Sequence, residues 1–318
     1  MSASPLTSAP TIRNSEMNQG LRALPARRLW VWWHLLSLDA PTVAVVWCWF
    51  FAAAFGVSLP PTALVTLALG TWCVYVADRL LDGWRSTDMT DLRDRHWFYL
   101  RHRKPFVIAW FAAAIPLAYL IFFRVRPAVR EDDVVLCLIG IGYFLLIHHR
   151  SEGDFFSKEL FVGFLFSIAT AVPTWTRLQE GRGFLLAAIA TFGAACWLNC
   201  VAIQTWEDAE ARREDVQTHF ATRTRELAVQ QNRARRRALT DLLGNHLTAL
   251  AVVIGVLALS LANFPDGRAV WPLFVAVAAS SLVFLVLIHH TVRLSALSLR
   301  ILADGALLTP LLFWIHLR

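Results

Sequence analysis

Little in this chain favours a disulfide-stapled or an aqueous fold. It has five cysteines (Cys48, Cys73, Cys137, Cys196 and Cys200), all inside apolar stretches and at spacings that fit neither a disulfide framework nor a zinc site. Cys196 and Cys200 stand one helical turn apart and read as small packing residues. Charge is scarce: 17% of the 318 residues are charged and 57% are hydrophobic, with mean hydropathy +0.50, which excludes an ordinary soluble domain. The apolar runs do not alternate with a period of two, which argues against a β-barrel. No apolar core of a leader follows the start of the chain. The polar residues 1–28, rich in Ser, Pro and Arg, therefore read as a disordered tail and not as a cleaved signal peptide.

What is present is hydrocarbon in long pieces, with 14 Trp and 21 Phe. Runs able to cross a bilayer core of ~30 Å recur along the chain. Nine are read, at roughly 33–55, 61–81, 105–123, 134–149, 158–175, 184–206, 242–263, 270–288 and 297–315. The expectation is an all-α, multi-pass membrane protein with a single transmembrane domain over residues 29–318. With the tail placed in the cytoplasm, the tail, the loops after spans 2, 4, 6 and 8 and the span ends beside them carry 23 of the 30 Lys and Arg. That asymmetry predicts a cytoplasmic N-terminus and a C-terminus on the opposite side. The net charge of +7 then reflects topology and anionic headgroups, not a nucleic-acid partner. The polar segments 82–104 and 207–241 read as amphipathic helices against the cytoplasmic face, and the stretch Arg233 to Arg237 as solvated charge. A faint parallel repeat relates residues 29–150 to 157–290. In each half an acid-ended span is followed two spans later by one ending in a histidine pair, His148-His149 and His289-His290.

The two acid-ended spans carry the chemistry. Span 2 ends in Val74-Tyr75-Val76-Ala77-Asp78-Arg79-Leu80-Leu81-Asp82, and span 6 in Asn199-Cys200-Val201-Ala202-Ile203-Gln204-Thr205-Trp206-Glu207-Asp208. Carboxylates so close to hydrocarbon are costly unless they hold a cation or line a polar cavity. Asp78 and Asp82 stand four apart on one helix face, where like charges repel. A hard divalent cation resolves that conflict. Magnesium suits it, because it accepts one or two carboxylates and shares its other positions with phosphate oxygens. Asn199 and Glu207 lie eight apart, and Gln204 and Asp208 four apart, on a second face of mixed amide and carboxylate oxygens. The expected metal and catalytic residues are Asp78, Asp82, Glu207 and Asp208. Lys158, set directly against the apolar run of span 5, is expected to hold diphosphate, beside Arg79, Tyr75, Asn199 and Gln204.

This layout resembles the UbiA superfamily of intramembrane prenyltransferases, which has nine helices and two acidic motifs after helices 2 and 6. Asp78 and Asp82 match the last two acids of the motif Asn-Asp-x-x-Asp-x-x-x-Asp, with Val74 and Tyr75 where its Asn and first Asp stand. Asn199 and Glu207 match the ends of an analogous second motif, with Cys200 and Ile203 where acids would be. Lys158 and the following Glu159-Leu160-Phe161-Val162-Gly163 look like the basic start of helix 5. The resemblance implies magnesium-dependent transfer of an isoprenoid from its diphosphate to a small or lipidic acceptor. A terpene cyclase on the same scaffold, and a non-catalytic lipid-binding protein or transporter, are the alternatives. Two acids lie deeper. Asp39, before Pro41, reads as part of a kink or a functional site. Asp304 reads as cavity-facing or helix-pairing, with His316 or a neighbouring helix.

Overall fold

A computed structural model describes residues 29–85, 98, 101–124, 127, 130–131, 134–135, 155–218, 246–264, 270–291 and 293–313. The described residues form helices and no strands. In chain order these are α1 (Leu29–Leu35), α2 (Asp39–Ala54), α3 (Pro61–Arg85), α4 (Arg103–Tyr119, continued by a π turn Leu120–Arg124), α5 (Phe155–Trp175), α6 (Arg182–Thr218), α7 (His246–Ala262), α8 (Trp271–His289) and α9 (Ala296–Ala306), which is followed by a 3-10 turn Thr309–Phe313. Four stretches, Pro61–Leu81, Arg103–Arg124, Arg182–Glu210 and Trp271–His289, are long and apolar enough to cross a membrane. A fifth is added if α1 and α2 count as one bent span; Glu159–Trp175 and α7 are shorter apolar helices. Of the expected fourth span, 134–149, all but 134–135 lies outside the described residues.

Two expected spans are broken. Residues 33–55 do not form one helix, because α1 and α2 meet at 92°. The chain turns at Ser37, whose φ of 55° is left-handed, with Ser37 N–H bonded to the His34 carbonyl and Leu38 N–H to the Trp33 carbonyl. This pattern ends helices, usually at glycine, and Gly56 (φ 63°) repeats it at the end of α2. Residues 297–315 likewise divide, as α9 ends at Ala306 before Pro310.

A helix broken within apolar surroundings leaves carbonyls that no water reaches, so side chains must satisfy them. Trp72 of α3 donates its indole N–H to the Leu36 carbonyl (2.9 Å), and Arg79 donates to the His34 carbonyl (3.0 Å). Trp47 of α2 donates to the Leu307 carbonyl (2.7 Å) where α9 stops. Both breaks are thus closed by donors from neighbouring helices.

The main core lies among α2, α5, α6, α8 and α9. Trp47, Phe50, Phe51, Phe192, Phe274 and Phe284 are fully buried there, and the Trp47 and Phe192 rings stack at 3.9 Å. The most extensive pairing is α5 with α6. It closes on small and hydroxyl residues, as Gly163 lies against the Trp197 backbone and Ser167 donates to the Ile189 carbonyl (2.7 Å).

Candidate functional site

Five helical segments meet at one place: the end of α1, the start of α2, the last turns of α3, the middle of α6 and the last turn of α9. Their polar side chains form one buried cluster. His34 Nδ1 and Asp39 Oδ2 lie 2.6 Å apart, and Asp304 Oδ2 is 3.8 Å from the same nitrogen. Asp39 also accepts from the Ala40 N–H (2.9 Å), one of the first-turn N–H groups of α2 that no helix carbonyl serves. The Arg79 guanidinium lies 4.0 Å from Asp39 and bonds the end of α1. Asn199 of α6 donates to Asp304 Oδ1 at 3.0 Å. Among the described residues, His34, Asp39 and Asp304 are the one group of three metal-competent side chains whose ligand atoms lie within 4.8 Å of one another.

Beside this cluster is a narrow, partly open cavity. Its walls are apolar, from Ala40, Val43, Val162, Phe166 and Leu307, and its polar groups are Tyr75, Asn199 and Asp304 with the thiols of Cys196 and Cys200. Asp304 joins cluster to cavity. Asn199 is 8% exposed, and its Oδ1 has no hydrogen-bond partner.

Two of the four acids expected at the metal site have side-chain partners in the fold. Glu207 pairs with Arg300 of α9, and Asp208 accepts from Gln204 at 2.9 Å. The span 6 acids therefore already have resident partners, a guanidinium and an amide. Asp78 is partly buried on α3. The side chains of Asp82 and Lys158 lie outside the described residues. Of the expected substrate-binding residues, Tyr75 and Asn199 share the cavity, while Arg79 is 5% exposed and turned to the His34–Asp39 pair. The cavity thus lies deeper than the acids. Tyr75 is one turn before Asp78, and Asn199 two turns before Glu207.

Asp39 belongs to the kink expected of it and also to the cluster. Asp304 meets the cavity and α6, whereas His316 lies outside the described residues. His34 and Arg300 were not singled out by sequence. An ionisable residue inside an apolar run is their one signal, and for His34 the flanking Trp residues make it look like a membrane-surface helix. Cys196 and Cys200 were read as packing and line the cavity instead.

The described residues define an all-helical protein with four to five helical spans long and apolar enough to cross a membrane, a buried cluster of ionisable residues and an adjoining cavity. No protein-family model, curated protein or solved structure matches the chain.

Proposed function

We propose that this protein is an intramembrane transferase that moves a prenyl group from its diphosphate to an acceptor, working at the cytoplasmic face. The observation that carries the reading is that α3 and α6, the two helices that carry the acids, both line one cavity, through Tyr75 and through Cys196, Asn199 and Cys200. Apolar walls accept hydrocarbon, and the acids stand at the polar end of the same two helices. The Tyr75 ring in that wall offers a π face to an allylic cation as the diphosphate leaves.

The diphosphate would sit at the mouth, between the last turns of α3 and Lys158. Magnesium there would have Asp78 and Asp82, the one or two carboxylates it takes when phosphate oxygens fill its other positions. Its contribution would be to neutralise the leaving diphosphate. Glu207 and Asp208, engaged by Arg300 and Gln204, act in this reading as fixed polar walls of the mouth and not as ligands.

The test is incubation of purified protein with prenyl diphosphates of several chain lengths, magnesium and candidate acceptors, following diphosphate release and prenylated product. Release with product supports transfer. Release with a rearranged hydrocarbon and no acceptor adduct indicates the cyclase. Neither release nor binding of any prenyl diphosphate sinks both.

One feature favours a second reading, a transporter. The 92° break between α1 and α2, with Asp39 at its edge, is the kind of interrupted helix at which transporters bind ions. Uptake of a labelled solute into proteoliposomes, abolished by Asp39→Asn with no prenyl transfer in the parent protein, would establish that reading instead.

A further inference from the structure

The cavity beside Asp304 has a polar end of one kind. Among the described residues its lining holds the Asp304 carboxylate, the Asn199 amide, the Tyr75 hydroxyl and two thiols, and no Lys, Arg or His. The Arg79 guanidinium is buried and directed at the His34 carbonyl and Asp39. The orientation of the Asn199 amide follows from its neighbour. Its NH2 faces the Asp304 carboxylate, because the opposite setting would bring two oxygens together. Asn199 Oδ1 is then left over, more than nine-tenths buried and without a partner, in the wall of a cavity. A buried acceptor left unmade is costly and calls for a donor.

We infer that this cavity binds the hydrogen-bond-donating head, a hydroxyl or an ammonium, of a small and otherwise apolar molecule, held between Asn199 Oδ1 and the Asp304 carboxylate. Resting on the proposed transfer, that molecule is the acceptor, a phenol, alcohol or amine, and the diphosphate lies outside this cavity. An anion in the cavity would meet the Asp304 carboxylate, whereas a donor satisfies Asn199 and is drawn to that carboxylate. The size agrees. Space for the centres of water-sized groups amounts to about 30 Å³, enough for a head group and the carbon next to it. The walls Val43, Val162 and Phe166 take the apolar body.

Cys200, half-buried in the same lining, serves as the reporter. In a chain with Cys48, Cys73, Cys137 and Cys196 replaced by Ala, Cys200 is modified in detergent micelles by 2-aminoethyl and by 2-sulfonatoethyl methanethiosulfonate. Each rate is divided by that reagent's rate on the denatured chain. The cationic reagent should be favoured by about tenfold, the effect of one carboxylate in a poorly solvated space, and Asp304→Asn should bring the ratio near one. In a second arm the neutral methyl reagent is used with p-cresol or with 4-methylanisole, which has the same ring and no donor. p-Cresol should slow modification several-fold and the ether should not, and Asn199→Leu should erase the difference. Equal or faster reaction of the anion overturns the inference. So does equal protection by the ether, protection by inorganic diphosphate, or a Cys200 that none of the reagents reaches. These rates do not depend on turnover, so a failure of prenyl transfer and a failure of the cavity assignment are separately visible.

Discussion

Replacing Gly163 with Ala tests the close approach of α5 to α6 and, with it, the cavity wall. A Cβ at Gly163 would lie 2.6 Å from the backbone nitrogen of Trp197, 2.9 Å from its Cα and 3.2 Å from the carbonyl carbon of Cys196. Those atoms belong to the α6 backbone and cannot rotate away as a side chain would. To reach ordinary van der Waals separation, α5 and α6 must part by close to ~1 Å. Overpacking of this kind costs ~1–3 kcal/mol, and a backbone clash belongs at the upper end. Alanine's better helix propensity returns ~1 kcal/mol, so the net loss is about 2 kcal/mol. Two other glycines set the scale. At Gly193 the Cβ would meet the Phe164 ring at 2.8 Å, which can turn aside, and at Gly183 it meets nothing within 4 Å. Thermal unfolding in micelles, followed by tryptophan fluorescence, should lower the apparent Tm by several degrees for Gly163→Ala, less for Gly193→Ala and not at all for Gly183→Ala. Matching Tm values for Gly163→Ala and Gly183→Ala would refute the close approach of α5 and α6.

Arg300→Met should cost about 2–3 kcal/mol by removing the guanidinium that faces Glu207, and adding Glu207→Gln should recover most of it, which a double-mutant cycle of detergent unfolding measures. Trp47→Phe keeps the ring and orphans the Leu307 carbonyl, so a loss of about 1–3 kcal/mol is expected in the same assay. Asp78→Ala and Asp82→Ala should each abolish magnesium-dependent prenyl diphosphate binding, while neutralising Arg233 to Arg237 should not. Binding that is equally tight with chelator present would show that the acids hold no metal.

The helical class and the apolar helices were legible because hydrophobicity is a local property, readable in any window of some twenty residues. The two breaks were not, since each depends on a distant donor. Nothing near Leu36 or Leu307 announces that Trp72 or Trp47 will cap it. Asp39 and Asp304 could each be marked as costly in a membrane, but they lie 265 positions apart in the chain, and only folding shows that they share His34. The partners of the span 6 acids are hidden for the same reason. Spacing along the chain puts Glu207 and Asp208 at the end of an apolar run and cannot show that Arg300, 93 residues on, answers Glu207.

One helix ties these features together. Along α3, Trp72 and Arg79 close the end of α1 and Tyr75 lines the cavity. Residues 72, 75, 79 and 82 follow the three- and four-residue spacing of one helix face, with Asp78 on its edge. A carboxylate pair alone could end any helix in the headgroups. An arginine and a tryptophan on the same face, used on freed carbonyls beside a buried His–Asp pair, fix the rotation of α3. The broken span thus sets which face of α3 meets the cavity.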